Sequence, residues 1–108
     1  MQGQSIRVLV VDDHGLVRTG LKRILNECAD IQVVGEAASG EEALGMHREI
    51  APDVVLLDIS MPGLSGFEVC QRLRERTESV KVIILTVHAQ GPYPSRLLDA
   101  GANGYLTK

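Results

Sequence analysis

The sequence predicts an α/β domain: a doubly wound, five-stranded parallel sheet of order 2-1-3-4-5. Three observations carry this. Short runs rich in Val and Ile recur along the chain and three of them hardly alternate, as strands buried on both faces read. Between the runs the apolar spacing changes to a helical period. The 108 residues, 44% hydrophobic and 23% charged, have the composition of an ordinary globular protein and room for one domain. Strands alternating with helices of this length imply right-handed βαβ units, so the sheet is covered on both sides.

The elements follow in order. The first strand is Ile6–Val11. A helix starting near His14 carries Val17, Leu21, Ile24, Leu25 and Cys28 at i, i+4, i+7, i+8 and i+11, a single apolar stripe. The second strand is Ile31–Val34. Ser39-Gly40-Glu41-Glu42 opens a second helix with Ala43, Leu44, Met46, His47 and Ile50. Its early acids suit the positive end of the helix dipole, and Pro52 ends it. After the third strand, Val54–Leu57, a third helix runs from about Leu64 to Arg76 with Phe67, Val69, Cys70 and Leu73 inward. The fourth and fifth strands are Val80–Leu85 and Tyr105–Leu106. Between them, Pro92 and Pro94 hold Gly91 and Tyr93 away from helical angles. The helix there begins no earlier than Pro94 and ends at Gly101.

Several function classes are excluded early. A net charge of −3 gives no reason to expect nucleic-acid binding by this segment. No apolar run approaches the roughly 20 residues of a membrane helix. Val8-Leu9-Val10-Val11 meets Asp12 and Asp13 at once, so no secretory signal is read. Cys28 and Cys70 lie in apolar helical patterns and read as two reduced core thiols. His14 reads as a turn or cap residue and His47 as a helix-flank residue, rather than as ligands. Arg72, Arg74 and Arg76 read as a solvated helix face.

Open parallel sheets bind ligands beyond the carboxyl ends of their strands. Strand 1 ends in Asp12-Asp13, strand 3 in Asp58, strand 4 in Thr86 and strand 5 in Lys108. Any one of these alone is a turn former or a helix cap. Their convergence from four strands is the signature of a site. Three carboxylates this close cannot all stay ionised in isolation, so one protonates or a cation sits among them. Oxygen ligands with open positions suit Mg²⁺, which bridges carboxylate to phosphate. Lys108 supplies a point charge and Thr86 a hydroxyl donor for phosphoryl oxygens. A carboxylate nucleophile, a divalent ion and a lysine are parts for phosphoryl transfer onto Asp58.

Three segments carry a resemblance to a known family: Val10-Val11-Asp12-Asp13-His14, Leu57-Asp58-Ile59-Ser60-Met61-Pro62-Gly63 and Gly101-Ala102-Asn103-Gly104-Tyr105-Leu106-Thr107-Lys108. From Ile6 to Lys108 the chain resembles a receiver domain of a two-component response regulator of the NarL/FixJ (LuxR-type) family. Pro92-Tyr93-Pro94-Ser95-Arg96-Leu97-Leu98 looks closer to its GacA/UvrY-like branch. The resemblance implies a flavodoxin-like fold with Asp58 accepting phosphate from the phosphohistidine of a sensor histidine kinase. It implies Mg²⁺ held by Asp13, Asp58 and the Ser60 carbonyl, with Asp12 acting largely through water. Thr86 and Lys108 would contact the phosphoryl oxygens. Tyr105 would be the switch aromatic that swings inward when Thr86 moves.

The implied role is a cytoplasmic phosphorylation switch rather than an enzyme, assisting its own phosphotransfer and slow autodephosphorylation. Residues 1–108 would form a receiver that stops after strand 5, with the fifth helix missing. DNA would be bound only through an absent C-terminal helix-turn-helix domain; a homodimer is a further partner, and a membrane is not. Three rivals are weighed. An aspartyl-phosphate phosphatase needs a second Asp where Ser60 stands. A flavin binder needs a phosphate loop where Asp12-Asp13 would repel the phosphate. A degenerate interaction module would not keep the acidic site.

Overall fold

The computed structural model describes residues 5–58, 66–76, 79–86 and 102–107. Strand β1 (Ile6–Val11) is followed by helix α1 (Gly15–Asn26), β2 (Ile31–Ala37), α2 (Gly40–Ile50) and β3 (Val54–Asp58). Then come α3 (Gly66–Arg76), β4 (Lys81–Thr86) and β5 (Gly104–Thr107). The strands form one sheet of order β2-β1-β3-β4-β5. Every pairing is parallel, with Val11 beside Leu57 and Asp58 beside Leu85. Matching registers bring the carboxyl ends of β1, β3 and β4 to one edge.

The pleat sorts the core into two layers. Leu9 and Val11 of β1 join Val55, Leu57, Val82 and Ile84 on one face. There Ala43 and Leu44 of α2 and Val69, Cys70 and Leu73 of α3 cover them. Val8 and Val10 point the other way with Leu56 and Leu85, against Leu21 and Leu25 of α1. Among the described residues, α1 is the helix that packs on this second face. An apolar cavity of about 250 Å³ lies between Ile6, Val8, Leu25, Ile31, Val54, Leu56 and Ile83.

Local chemistry explains the element ends. The Ser39 hydroxyl accepts from the Glu42 amide (3.2 Å) and the Glu42 carboxylate accepts from the Ala38 amide (2.9 Å), closing the start of α2. Its end is a left-handed residue, Ala51 (φ 52°, ψ 62°), immediately before Pro52. The Arg7 guanidinium reaches over from β1 and donates to the Ile50 and Ala51 carbonyls, 2.9 Å each. Gly35 lets α2 lie close to β2: a Cβ there would stand 2.7 Å from Met46 Cε and 3.0 Å from Ile50 Cδ1.

Several expectations need correction. β2 continues to Ala37 rather than stopping at Val34, because Arg18 and Lys22 of α1 hold Glu36 in the extended chain. β4 is shifted by one residue from the expected Val80–Leu85, and Val80 is buried just before it. Cys28 is not a core thiol. α1 ends at Asn26, so Cys28 lies in the exposed turn beyond it, while Cys70 is buried as expected. Ile24 also leaves the apolar stripe and is 63% exposed. By contrast, Arg72 and Arg76 are exposed, as a solvated helix face should be, and Arg74 is half-buried; Arg76 also donates to the Leu44 carbonyl (2.8 Å) and Arg74 to the Asn103 side chain. The start of the third helix near Leu64, the helix after β4 and the missing fifth helix lie outside the described residues.

Candidate functional site

β1 delivers Asp12 and Asp13 one and two residues past its last paired position, and β3 delivers Asp58 as its own last residue. The Asp12 amide donates to the Ala37 carbonyl (3.0 Å), which extends the β1–β2 ladder and fixes where the acidic loop begins. Next, the His14 amide donates to Asp12 Oδ1 (2.9 Å), a side-chain-to-backbone turn two residues long. That turn delivers the chain to α1, with His14 as its N-cap.

Asp12 and Asp58 are buried, at 0% and 1% exposure, and Asp13 is partly open, its side chain 25% exposed. One ligand atom from each of Asp12, Asp13, His14 and Asp58 can be chosen so that all lie within 4.8 Å of one another. Burying charge in this way is costly unless an opposite charge or a set of donors offsets it. Carboxylate oxygens converging from two strands, with one side open, are the donor set that a hard divalent cation takes. The residues fit such an ion.

A second tier of charge braces the loop. Arg18 of α1 donates through its guanidinium to the Asp12 carbonyl (2.6 Å) and through Nε to Glu36 Oε1 (2.9 Å). Lys22 Nζ donates to the other Glu36 oxygen (2.6 Å). These two cations hold the Glu36 carboxyl below its ordinary value of 4.5. Away from the site, burial lowers His47, helped by the Arg76 charge, and burial raises the Cys70 thiol, leaving it a poor nucleophile.

Of the residues singled out from sequence, the structure therefore gathers Asp12, Asp13 and Asp58. Thr86 is the last residue of β4, two strands along from Asp12, and Tyr105 pairs with Ile84 inside β5. Ser60 and Lys108, like the side chains of Thr86 and Tyr105, lie outside the described residues. Two residues were missed. His14 is more than a cap: its ring nitrogen Nδ1 stands 3.1 Å from Asp12 Oδ1 and 3.0 Å from Asp13 Oδ1. Its adjacency to the acidic pair was the available signal. Arg18 had none, because its partner Glu36 is a tertiary neighbour from another strand.

Comparison with known proteins agrees with this geometry. Residues 8–108 match the model of the response regulator receiver domain family. The chain is 54% identical over 103 residues to the response regulator GacA of Pseudomonas viridiflava, covering 95% of this chain and 48% of that protein. Against the response regulator UvrY of Escherichia coli K12 it is 52% identical, covering 95% and 47%. The chain thus spans about half the length of these curated relatives. Among solved structures, the signal receiver domain of the response regulator NarL from Mycobacterium tuberculosis superposes with a TM-score of 0.91 at 36% identity. That match covers 96% of this chain and 84% of the other. No helix among the described residues is long and apolar enough to cross a membrane. Strand order, the carboxylates at the sheet edge and these similarities converge on one assignment: the chain belongs to the response regulator receiver domain family, with GacA- and UvrY-like regulators as relatives.

Proposed function

We propose that this domain takes a phosphoryl group from the phosphohistidine of a sensor histidine kinase onto Asp58, in the cytoplasm. The observation that carries the reading is the gathering of Asp12, Asp13 and Asp58 within 4.8 Å at the carboxyl edge of the sheet. An Asp58 oxygen attacks phosphorus, the P–N bond to the donor imidazole breaks, and its electron pair stays on that nitrogen. Asp13, Asp58 and the Ser60 carbonyl would hold Mg²⁺, with Asp12 acting through water. When bound, the ion supplies positive charge against the phosphoryl oxygens. Thr86 and Lys108 would contact those oxygens, and Tyr105 would follow Thr86 as the phosphate arrives.

The half-length match supports a receiver within a longer regulator whose C-terminal helix-turn-helix domain binds DNA, with a second copy of the chain as a further partner. Residues 1–108 would be that regulator's receiver. The domain acts as a switch that assists its own phosphotransfer and slow dephosphorylation, and no other catalytic cycle is proposed.

The test is titration with BeF₃⁻ and Mg²⁺, followed by amide chemical shifts, beside phosphorylation from a small-molecule donor. The parent chain should shift around residues 12–14 and 58 and take up one hydroxylamine-labile phosphate. Asp58→Asn should do neither, because the amide is not a nucleophile. Uptake by Asp58→Asn at the parent rate would refute the acceptor assignment. Sustained multiple turnover of a phosphate ester would favour the phosphatase reading instead.

A further inference from the structure

Strand β5 is the shortest of the five and lies at the end of the sheet, beside β4. Four residue pairs join the two, from Ile83 beside Gly104 to Thr86 beside Thr107. A strand this short carries little side-chain pattern to fix its register, and a slip of one residue displaces it by about 3.3 Å. Asn103, one residue before β5, supplies what the pattern does not. Its amide donates to the Val82 carbonyl (2.8 Å), and its side-chain Oδ1 accepts from the Val82 amide (2.9 Å). Both backbone polar groups of Val82, a fully buried residue, are thus met by one residue. The same Oδ1 accepts from the Arg74 guanidinium of α3, whose Val69, Cys70 and Leu73 share a core cluster with Val82 and Ile84.

These bonds belong to one register. Moving β5 along β4 by a residue in either direction parts both Asn103–Val82 bonds together. It leaves the Val82 amide without that acceptor in a place water does not reach. The register in turn sets the far end of the strand. Thr107 lies beside Thr86, and Lys108 is the next residue in the chain. A displacement of about 3.3 Å exceeds what a lysine can lose and still meet phosphoryl oxygens at hydrogen-bond distance in a fixed geometry. We propose that Asn103 is a positioning residue for phosphotransfer onto Asp58: it clamps Val82, fixes the β4–β5 register and so places Lys108. The inference rests on the reading of Lys108 given above. It adds the residue, at the opposite end of the strand, through which that lysine is aimed.

The experiment measures the rate of phosphorylation by acetyl phosphate, at saturating Mg²⁺, in the parent chain, Asn103→Leu, Asn103→Asp, Lys108→Met and the double variant Asn103→Leu/Lys108→Met. Leucine keeps the size of asparagine without an acceptor, whereas aspartate keeps the Oδ1 acceptor for Val82 and Arg74. Asn103→Leu should lose about tenfold in rate. Asn103→Asp should stay within about twofold of the parent, and backbone NOEs between β4 and β5 should keep the parent pattern in it alone of the two. In the Lys108→Met background, Asn103→Leu should cost less than about twofold more, because the group it aims is gone. Should Asn103→Leu not fold, Arg74→Met reads the same role through a smaller loss, about threefold, again absent without Lys108. A parent rate in Asn103→Leu, or an equal loss in Asn103→Asp, would overturn the clamp. A full loss that persists in the Lys108→Met background would overturn the positioning role, since Asn103 would then act on the fold at large. A parent rate in Lys108→Met is a different result: it removes the reading of Lys108 itself and the inference with it.

Discussion

Arg18 is the brace through which α1 sets the acidic loop, and replacing it by Met tests that role while keeping the aliphatic stem. The substitution removes the 2.6 Å bond to the Asp12 carbonyl and the 2.9 Å bond to Glu36. A hydrogen bond from a charged donor contributes about 1.5–3 kcal/mol when well shielded. The Arg18 side chain is only 20% exposed, so the carbonyl bond keeps much of that value. Glu36 is 38% exposed and still has Lys22, so its share is discounted to about 0.5 kcal/mol. Together these give a loss of about 2 kcal/mol, a fall in Tm of roughly 10 °C for a domain of this size. Glu36→Gln should cost about 0.5–1 kcal/mol. In a double-mutant cycle by urea denaturation, the two should couple by about 0.5 kcal/mol.

The clasp also has an acid limit. Because the folded Glu36 carboxyl lies below 4.5, its contribution is fully present above that value and is lost as pH falls through the folded one. Glu36→Gln should flatten that limb of the stability profile. Arg18→Met within about 0.5 kcal/mol of the parent would refute the brace. Absence of coupling would do the same for its link to Glu36.

Three further outcomes follow from packing and charge. Gly35→Val should destabilise by about 2 kcal/mol, because its added carbons meet Met46 and Ile50 of α2. Gly35→Ala should cost clearly less, since Met46 Cε is the free end of a flexible chain, and urea midpoints for the pair check the order. Ala51→Gly should stabilise by about 0.5–1 kcal/mol, as relief of the left-handed strain exceeds the added freedom of the unfolded chain; a loss of stability would contradict it. His47 carries a depressed value in the fold, so the unfolded chain binds the proton more readily. Stability should decline as pH falls below 6.5 and level off beneath the folded value, and His47→Leu should remove that decline.

What was legible in the sequence and what was not divides along local and tertiary lines. Asp12, Asp13 and Asp58 could be placed because parallel strands share a polarity, so carboxylates at strand ends must meet at one edge. The helix start at Ser39 was legible because its cap is written within four residues, and the start near His14 because the apolar stripe of α1 begins just after it. The end of β2 was not. Gly35 and Glu36 break the apolar run, and what keeps them extended is a pair of cations from α1 and the close approach of α2. Cys28 misled for a related reason: its spacing continues the α1 stripe, yet the helix has already ended at Asn26. The Arg18 brace and the His14 ring both depend on a turn geometry that periodicity does not encode.

The central position of β1 bears on how the domain is made on the ribosome. β1 pairs with β2 on one edge and with β3 on the other, so the first strand synthesised needs both later ones. At about 5–20 residues per second, Val54 follows Val11 by roughly 2–9 s, and one hydrogen-bonding edge of β1 stays open throughout. Asp12 and Asp13 sit at the end of that open edge, where charge discourages pairing with a neighbouring nascent chain. Asp58 then arrives with β3 in the same event that closes the edge. An ion shared by Asp13 and Asp58, as proposed above, would have nothing to bridge until the sheet centre is complete. It would hold β3 against β1 afterwards and contribute nothing to bringing them together.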